Sequence, residues 1–445
     1  MDALREYIAR APEFRSGVYT PRDYLEESIS LIEGIDGELH AFPSLRIARA
    51  RLEADASAER WRSGAELSAL DGAPLGVKDI IDVAGMVTGM GSPTMSDYRP
   101  PADSAAVLAL RRVGMVVLGK TTTTEFATSY PCETRNPHDL TRTSGGSSAG
   151  SAAAVGAGML PVALGTQVVG STIRPAGYCG VYGMKTSVGL LNRGGVHDYY
   201  LSQSTLGVLA AGVDELWHVL VALYEGAGSA PGITFPGVSA DPARAAVPPS
   251  RVGLLAPEAW ENAEPAARVA LLDALAFWQD AGVEVVIDDP VLRELNALVG
   301  DTLPLTRMIN AYESRSYLEA IAARDRGGLS PFALRRIDEG RAIGRADYGA
   351  AVEARSRIRH EFERLAGGFA AFVTLSASGV APVGTSSMGD PGMAAVASVL
   401  GCPAVSIPLG ELDGLPVGMQ LIGRYGSDFD LLAAARWAAG PGRPT

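Results

Sequence analysis

The sequence predicts an α/β layer fold around a buried sheet. Downstream of Ala73, short apolar runs suited to strands alternate with helical patterns, as in layered α/β proteins. At 445 residues, 47% hydrophobic and 20% charged, the chain is long and apolar enough to bury a large core. Thirty-one consecutive residues, from Thr143 to Ile173, carry no charged side chain, which places that run inside the protein.

The elements follow in order. Thr20-Pro21-Arg22-Asp23 starts a helix with a hydroxyl cap and a proline at the first helical position, and Leu25, Ile29 and Ile32 form its apolar stripe before Gly34. Residues 1–65 read as mostly helical. An apolar strand over 75–83, a helix over 105–113 and a strand over 115–118 follow. The uncharged run then divides into a small-residue helix over 149–158, an apolar strand over 159–164 after Gly158, and a glycine-bracketed turn over 165–171 whose N–H groups can converge on an anion. Its many Gly, Ser and Thr residues, with Pro161, set it apart from the roughly 20 continuous apolar residues of a membrane span. Residues 226–250, rich in Gly, Pro and Ala, read as a surface connection. Beyond them come a strand over 252–255, a helix over 265–281 and a strand over 283–287. A charged helical region spans about 291–366, and apolar strands return at 370–375, 404–407 and 417–422. Neither an internal repeat nor a clear linker divides the chain.

Composition excludes several function classes. A net charge of −12 with five histidines and no Lys/Arg-rich run argues against nucleic acid as a partner. Cys132, Cys179 and Cys402 lack metal-ligand spacing and cannot all pair, which fits small buried residues in a reduced, cytoplasmic setting. The opening residues carry acids and no apolar core, so no secretory signal is expected.

Three short patterns compete for the chemistry. Gly114 to Thr121 fits the P-loop expression letter by letter, but its interior, Met115-Val116-Val117-Leu118, has the character of a buried strand rather than a phosphate loop. Gly146-Ser147-Ser148-Ala149-Gly150 fits a nucleophile elbow. The polar, proline-broken residues 135–139 before it cannot be the required central strand, and nothing singles out His197, His218 or His360 as its partner. The third pattern joins Lys78, in the apolar run Pro74-Leu75-Gly76-Val77-Lys78, to Ser147 and Ser171, 24 positions apart. A lone lysine at a strand end ordinarily reaches for solvent. Held in a dry core, it loses its proton near neutral pH and can activate a hydroxyl directly or through a second one.

With these residues the chain resembles the amidase signature family. The resemblance is carried by Gly76-Val77-Lys78-Asp79, Gly145-Gly146-Ser147-Ser148, residues 165–171, Arg174-Pro175-Ala176, Cys179-Gly180 and Gly183-Met184-Lys185-Thr186. Gly389-Asp390-Pro391, residues 403–408 and residues 414–424 resemble its C-terminal blocks. The likeness is strong over 70–210 and 385–435 and weak over 226–370. It implies a large mixed β-sheet core with helices on both faces, in one domain spanning 1–445. That domain would comprise a helical segment (1–65), a signature core (70–210), a variable substrate-side region (226–370) and a C-terminal return to the sheet (371–439).

Carried over residue by residue, the resemblance implies Ser171 as nucleophile, Ser147 as bridging serine after a cis peptide, and Lys78 as terminal base. The N–H groups of Val168, Val169, Gly170 and Ser171 would form the oxyanion hole. It further implies an acyl-enzyme, no metal or cofactor, and a small amide substrate, aryl amides and carbamates included, with a homodimer allowed. Arg174, Gln167, Thr128 and Ser129 are the substrate-binding candidates; for Arg174 a structural tie to backbone carbonyls is favoured over reading a substrate carboxylate. Relatives usually carry Asp at the Gln167 position and Gly at Val169, where a β-branched residue narrows the backbone's options. The segment 125–136 is shorter than expected, which would open the site to bulky substrates. Two rivals remain: a glutamine-dependent amidotransferase subunit, which requires partner chains, and a catalytically silent scaffold of the same fold.

Overall fold

A computed structural model describes residues 4–235, 246–300 and 302–440. The expected lack of a leader at residues 1–3 and the middle of the Gly/Pro/Ala-rich connection, residues 236–245, lie outside the described residues. In chain order the strands are β1 (Ser44–Leu45), β2 (Pro74–Lys78), β3 (Val116–Thr121), β4 (Arg135–Asn136), β5 (Asp139–Thr143), β6 (Val162–Gln167), β7 (Tyr182–Lys185), β8 (Thr205–Ala210), β9 (Arg251–Leu254), β10 (Glu284–Val286), β11 (Ala371–Leu375), β12 (Ala404–Leu412) and β13 (Leu415–Ile422). Eleven form one mixed sheet in the order β1-β3-β2-β6-β8-β7-β12-β13-β11-β9-β10, and β4 and β5 pair separately. The centre is mixed because β2 runs parallel to β3 and β6 whereas β8 runs antiparallel to β6 and β7.

Side-chain alternation covers both faces. Val116 and Leu118 of β3 and Ala163 of β6 pack with Leu25, Ile29 and Ala152 from the helices Pro21–Leu39 and Ala149–Gly156. Val117, Val162 and Leu164, one residue out of step on the same strands, pack on the opposite side with Val107, Leu110, Trp217 and Leu220 from the helices Ala105–Arg112 and Val213–Ala227. The sheet is therefore dry on both sides at β2 and β6, where Lys78 and the uncharged run meet.

Several boundaries differ from the sequence reading for local reasons. The first long helix has the expected Thr20 cap but runs through Gly34 and Gly37 to Leu39; an interior glycine costs a helix only about 1 kcal/mol, too little to end one whose other face is packed. The strand expected over 159–164 starts after Pro161 and continues to Gln167, because Gly165, Thr166 and Gln167 pair with Gly207, Leu206 and Thr205 of β8. The turn thus begins at Val168. The strand expected over 75–83 ends at Lys78, where Ile81 N–H donates to Lys78 O in a turn. Strands β7 and β8 and the helix Ile173–Cys179 had no counterpart in that reading.

Candidate active site

Lys78 is the last residue of β2 and is fully buried. Its Nζ donates to Ser147 Oγ at 2.7 Å, Thr166 Oγ1 at 2.9 Å and Ser148 Oγ at 3.0 Å. No carboxylate forms an ion pair with it among the described residues. Burial pulls its pKa from 10.5 down to about 7, opposed by the charge of Asp198. Asp198 does not cancel the burial effect, since it pairs with Arg193 and accepts from Ser204 Oγ at 2.7 Å.

Ser147 and Ser148 lie between β5 and the helix Ala149–Gly156, and the Gly146–Ser147 peptide is cis. The small residues there reflect close approach. A Cβ on Gly165 would meet Ser148 Oγ at 2.8 Å, and one on Gly150 would meet Ala41 O at 2.2 Å. The hairpin β4–β5 that leads in lies outside the main sheet, so the strand a nucleophile elbow requires is missing. The P-loop lookalike is likewise strand β3, whose Lys120 is held by Asp79 at 2.9 Å.

The turn after β6 is held by its carbonyls. Val168 O accepts from Gln203 Nε2 at 2.8 Å, Val169 O from Ser398 Oγ at 2.7 Å, and Gly170 O from Arg174 N at 3.0 Å. In a trans peptide the C=O and the following N–H point in opposite directions. Three outward carbonyls therefore turn the N–H groups of Val169, Gly170 and Ser171 the other way, and none of the three donates to another described residue. Gln203 and Ser398 escaped the sequence reading; both lie far from the turn in sequence, and no local pattern connects them to it.

Val168 to Ser171 line a cavity of about 300 Å³, with Thr128 and Ser129 on its wall. Thr128 and Ser129 thus face the space where a substrate would sit, although the Thr128 hydroxyl itself donates to Glu125 O. Ser171 Oγ has no hydrogen-bond partner among the described residues. Arg174 also borders the cavity, but its guanidinium donates to Gly146 O at 2.7 Å and Gly389 O at 2.6 Å, the structural tie favoured above. Gln167, the remaining substrate-binding candidate, is not among the residues that line the cavity. It is fully buried, its Oε1 accepts from Thr172 N and Ile173 N, and its Nε2 donates to Ser398 Oγ, so it staples the start of the helix Ile173–Cys179. An amide can accept from those N–H groups and still donate onward, which an ionised aspartate cannot do.

A buried amine at the edge of neutrality beside hydroxyls, and a turn of free N–H groups beside an accessible serine, are the equipment of acyl transfer. The chain belongs to the Amidase family, whose model matches residues 23–432, and is an amidase, a hydrolase acting on C–N bonds. Among similar proteins are AtzE of Pseudomonas sp. (strain ADP), which belongs to 1-carboxybiuret hydrolase and is 34% identical over 92% of each chain, and a glutamyl-tRNA(Gln) amidotransferase chain of Chloroflexus aggregans, 30% identical over 94% of this chain and 92% of that one. The native peptide amidase of Stenotrophomonas maltophilia superposes with a TM-score of 0.81 at 27% identity, covering 100% of this chain and 98% of that one.

Proposed function

We propose that this amidase hydrolyses small amides, aryl amides and carbamates included, through Ser171, Ser147 and Lys78. The observation that carries the proposal is Lys78, buried, lowered to about 7 and bonded to three hydroxyls, with no carboxylate among the described residues to hold its proton. Neutral Lys78 accepts the Ser147 proton as Ser147 accepts that of Ser171, and Ser171 Oγ forms the bond to the carbonyl carbon. The relay closes once a substrate is seated, as catalytic hydrogen bonds commonly do. The N–H groups of Val168, Val169, Gly170 and Ser171 stabilise the resulting oxyanion. Collapse breaks the C–N bond while the proton returns through Ser147 to the departing nitrogen. Water then attacks the acyl-enzyme by the same relay, releasing the acid and restoring the Ser171 hydroxyl.

Turnover of an aliphatic amide, an anilide, an aryl carbamate and glutamine, by wild type and by Ser171→Ala, tests this. Loss of all turnover in the variant supports Ser171 as nucleophile, and the preferred substrate assigns the subclass. Activity that survives the substitution overturns the mechanism. Preference for glutamine together with co-purifying chains would favour the amidotransferase reading; the acidic net charge of −12 weighs against a tRNA-handling partner surface on this chain.

A further inference from the structure

We propose that the substrate carries a carboxylate a few bonds from the scissile carbonyl, received by Arg307 and Arg336; this rests on the cavity at Ser171 being the catalytic one. Among the described residues the cavity is lined by three arginines, Arg174, Arg307 and Arg336, and by no aspartate or glutamate, in a chain of net charge −12. A cavity that concentrates positive charge against the sign of the whole molecule raises the local concentration of anions.

The three guanidinium groups are not equivalent. Arg174 is committed to the carbonyls of Gly146 and Gly389. Arg307, in the second turn of the helix Leu303–Asp325, forms no ion pair among the described residues. Arg336, in the helix Pro331–Ala342, shares Nη1 with the partly exposed Glu339 at 3.1 Å, while its Nε is buried with no partner. Asn310 stands one turn from Arg307 and also lines the cavity. It is 2% exposed, its Oδ1 has no partner, and no hydrogen bond fixes its Nδ2 among the described residues, so the amide can turn its Nδ2 donor toward an anion. Tyr200 adds a phenol; burial pushes its pKa up, with the neighbouring Arg336 opposing, so it remains a protonated donor.

The two helices that carry these donors are locked together. A Cβ on Gly340 would meet Ala311 O at 2.4 Å, so the backbones are in direct approach. Ser330, which caps the second helix, donates from its N–H to the buried Glu125 at 3.2 Å and also bonds it through Oγ. Glu125 in turn leads into Thr128 and Ser129 on the cavity wall. Arg307 and Arg336 are thus tied to the Thr128–Ser129 wall of the cavity that Ser171 also lines, and a cavity of about 300 Å³ suits a substrate the size of a dicarboxylic acid monoamide or monoanilide.

The test uses two probes of nearly equal shape, glutaric acid monoanilide and the neutral pentanoic acid anilide. Their affinities for Ser171→Ala are measured by calorimetry, alone and combined with Arg307→Met, Arg336→Met or Arg336→Lys. The expected result is a preference of roughly ten- to hundredfold for the anionic probe, in line with charge-assisted hydrogen bonds. That ratio should collapse in each methionine variant and be partly restored by lysine, and added salt should weaken the anionic probe more than the neutral one. Equal affinities, or a preference that survives both methionine substitutions, overturn the proposal. Wild-type turnover of the same two anilides reads the underlying reading separately. Turnover that depends on Ser171 but favours the neutral anilide leaves the mechanism standing and removes the arginine assignment. Tight anionic binding whose turnover survives Ser171→Ala would do the reverse.

Discussion

If Lys78 is the base, the reactivity of Ser171 must track the proton on Lys78. Burial brings this lysine from 10.5 to about 7, and at about 1.36 kcal/mol per pH unit the gap amounts to about 5 kcal/mol against the charged form in the fold. The sign follows from linkage. Between about pH 7 and the unfolded value the unfolded chain holds the extra proton, so Lys78 makes the fold more stable as pH rises through that window. Below about pH 7 the full penalty applies. The catalytically competent neutral form therefore predominates above about pH 7. The assay is the rate at which a fluorophosphonate labels Ser171, read by intact mass, which requires no knowledge of the substrate. The rate should rise about tenfold per pH unit up to about pH 7 and then level off, whereas an ordinary lysine would still be driving the rise at about pH 9. Lys78→Met should lower the plateau by about 10²- to 10⁴-fold. The same variant should be more stable than wild type at acidic pH, by an amount that shrinks as pH rises. A flat profile, a rise that continues beyond about pH 9, or a methionine variant that labels at the wild-type rate would refute Lys78 as the base.

Two further substitutions probe the frame around the turn. Gln203→Leu removes the donor that holds Val168 O at 2.8 Å, and it should lower kcat about tenfold or more with little change in KM; affinity for a tetrahedral transition-state analogue should fall in the same proportion. Arg355 is linked to the turn through Gln203, whose Oε1 accepts from its Nη1 at 3.3 Å, so Arg355→Met should cost little further kcat once Gln203 is leucine, a double-mutant cycle read in the same assay. Gly165→Ala drives a Cβ to 2.8 Å from Ser148 Oγ and 3.0 Å from Leu209, so it should reduce both the thermal midpoint and the rate of Ser171 labelling, measured side by side.

The sequence made Lys78 conspicuous because a charged residue ending an apolar run is an anomaly, and the two serines stood out in a stretch with no charge to explain otherwise. The Thr20 cap and the small-residue helix were legible for a similar reason, since capping and stopping are written within a few residues. The other hydroxyls on Lys78 were not, because Ser148 and Thr166 lie 70 and 88 positions from it and meet only when β2 and β6 pair. The surroundings of Gln167 were hidden for the same reason: its proximity to Ser171 in sequence suggested the pocket, while its partners, Thr172, Ile173 and Ser398, turn it into the protein. Arg307 and Arg336 sit on charged helices whose pattern resembles a solvated surface, and only the packing of those helices over the turn makes them part of a cavity.

Burial alone does not single out Lys78, because Lys120 and Lys185 are also fully buried. Their acceptors differ. Lys120 faces Asp79 at 2.9 Å, and losing its proton would strand a buried carboxylate. Lys185 donates to the backbone oxygens of Cys402 at 2.5 Å and Ala397 at 3.4 Å, which accept a hydrogen bond but have no proton to give. Burial takes Lys185 down to about 8, close to Lys78, yet its surroundings leave it nothing to deprotonate. Lys120 also reaches one hydroxyl, Thr88 Oγ1 at 3.0 Å, beside its carboxylate, but of the three only Lys78 has hydroxyls for all its hydrogen bonds among the described residues, each able to accept its proton's hydrogen bond and to supply a proton in return. It follows that the acceptor type, more than the depth of burial, sets the reactivity, and a single exchange should show it. Thr166→Asp places a carboxylate where Lys78 now meets a hydroxyl at 2.9 Å, giving it the partner Lys120 has. An opposite charge at that distance favours the protonated lysine, so the pH at which Ser171 labelling levels off should move well to the alkaline side of about 7 and the rate near neutrality should fall. A folded Thr166→Asp protein whose labelling profile still levels off near pH 7 would show that the hydroxyl surroundings of Lys78 are incidental to its chemistry.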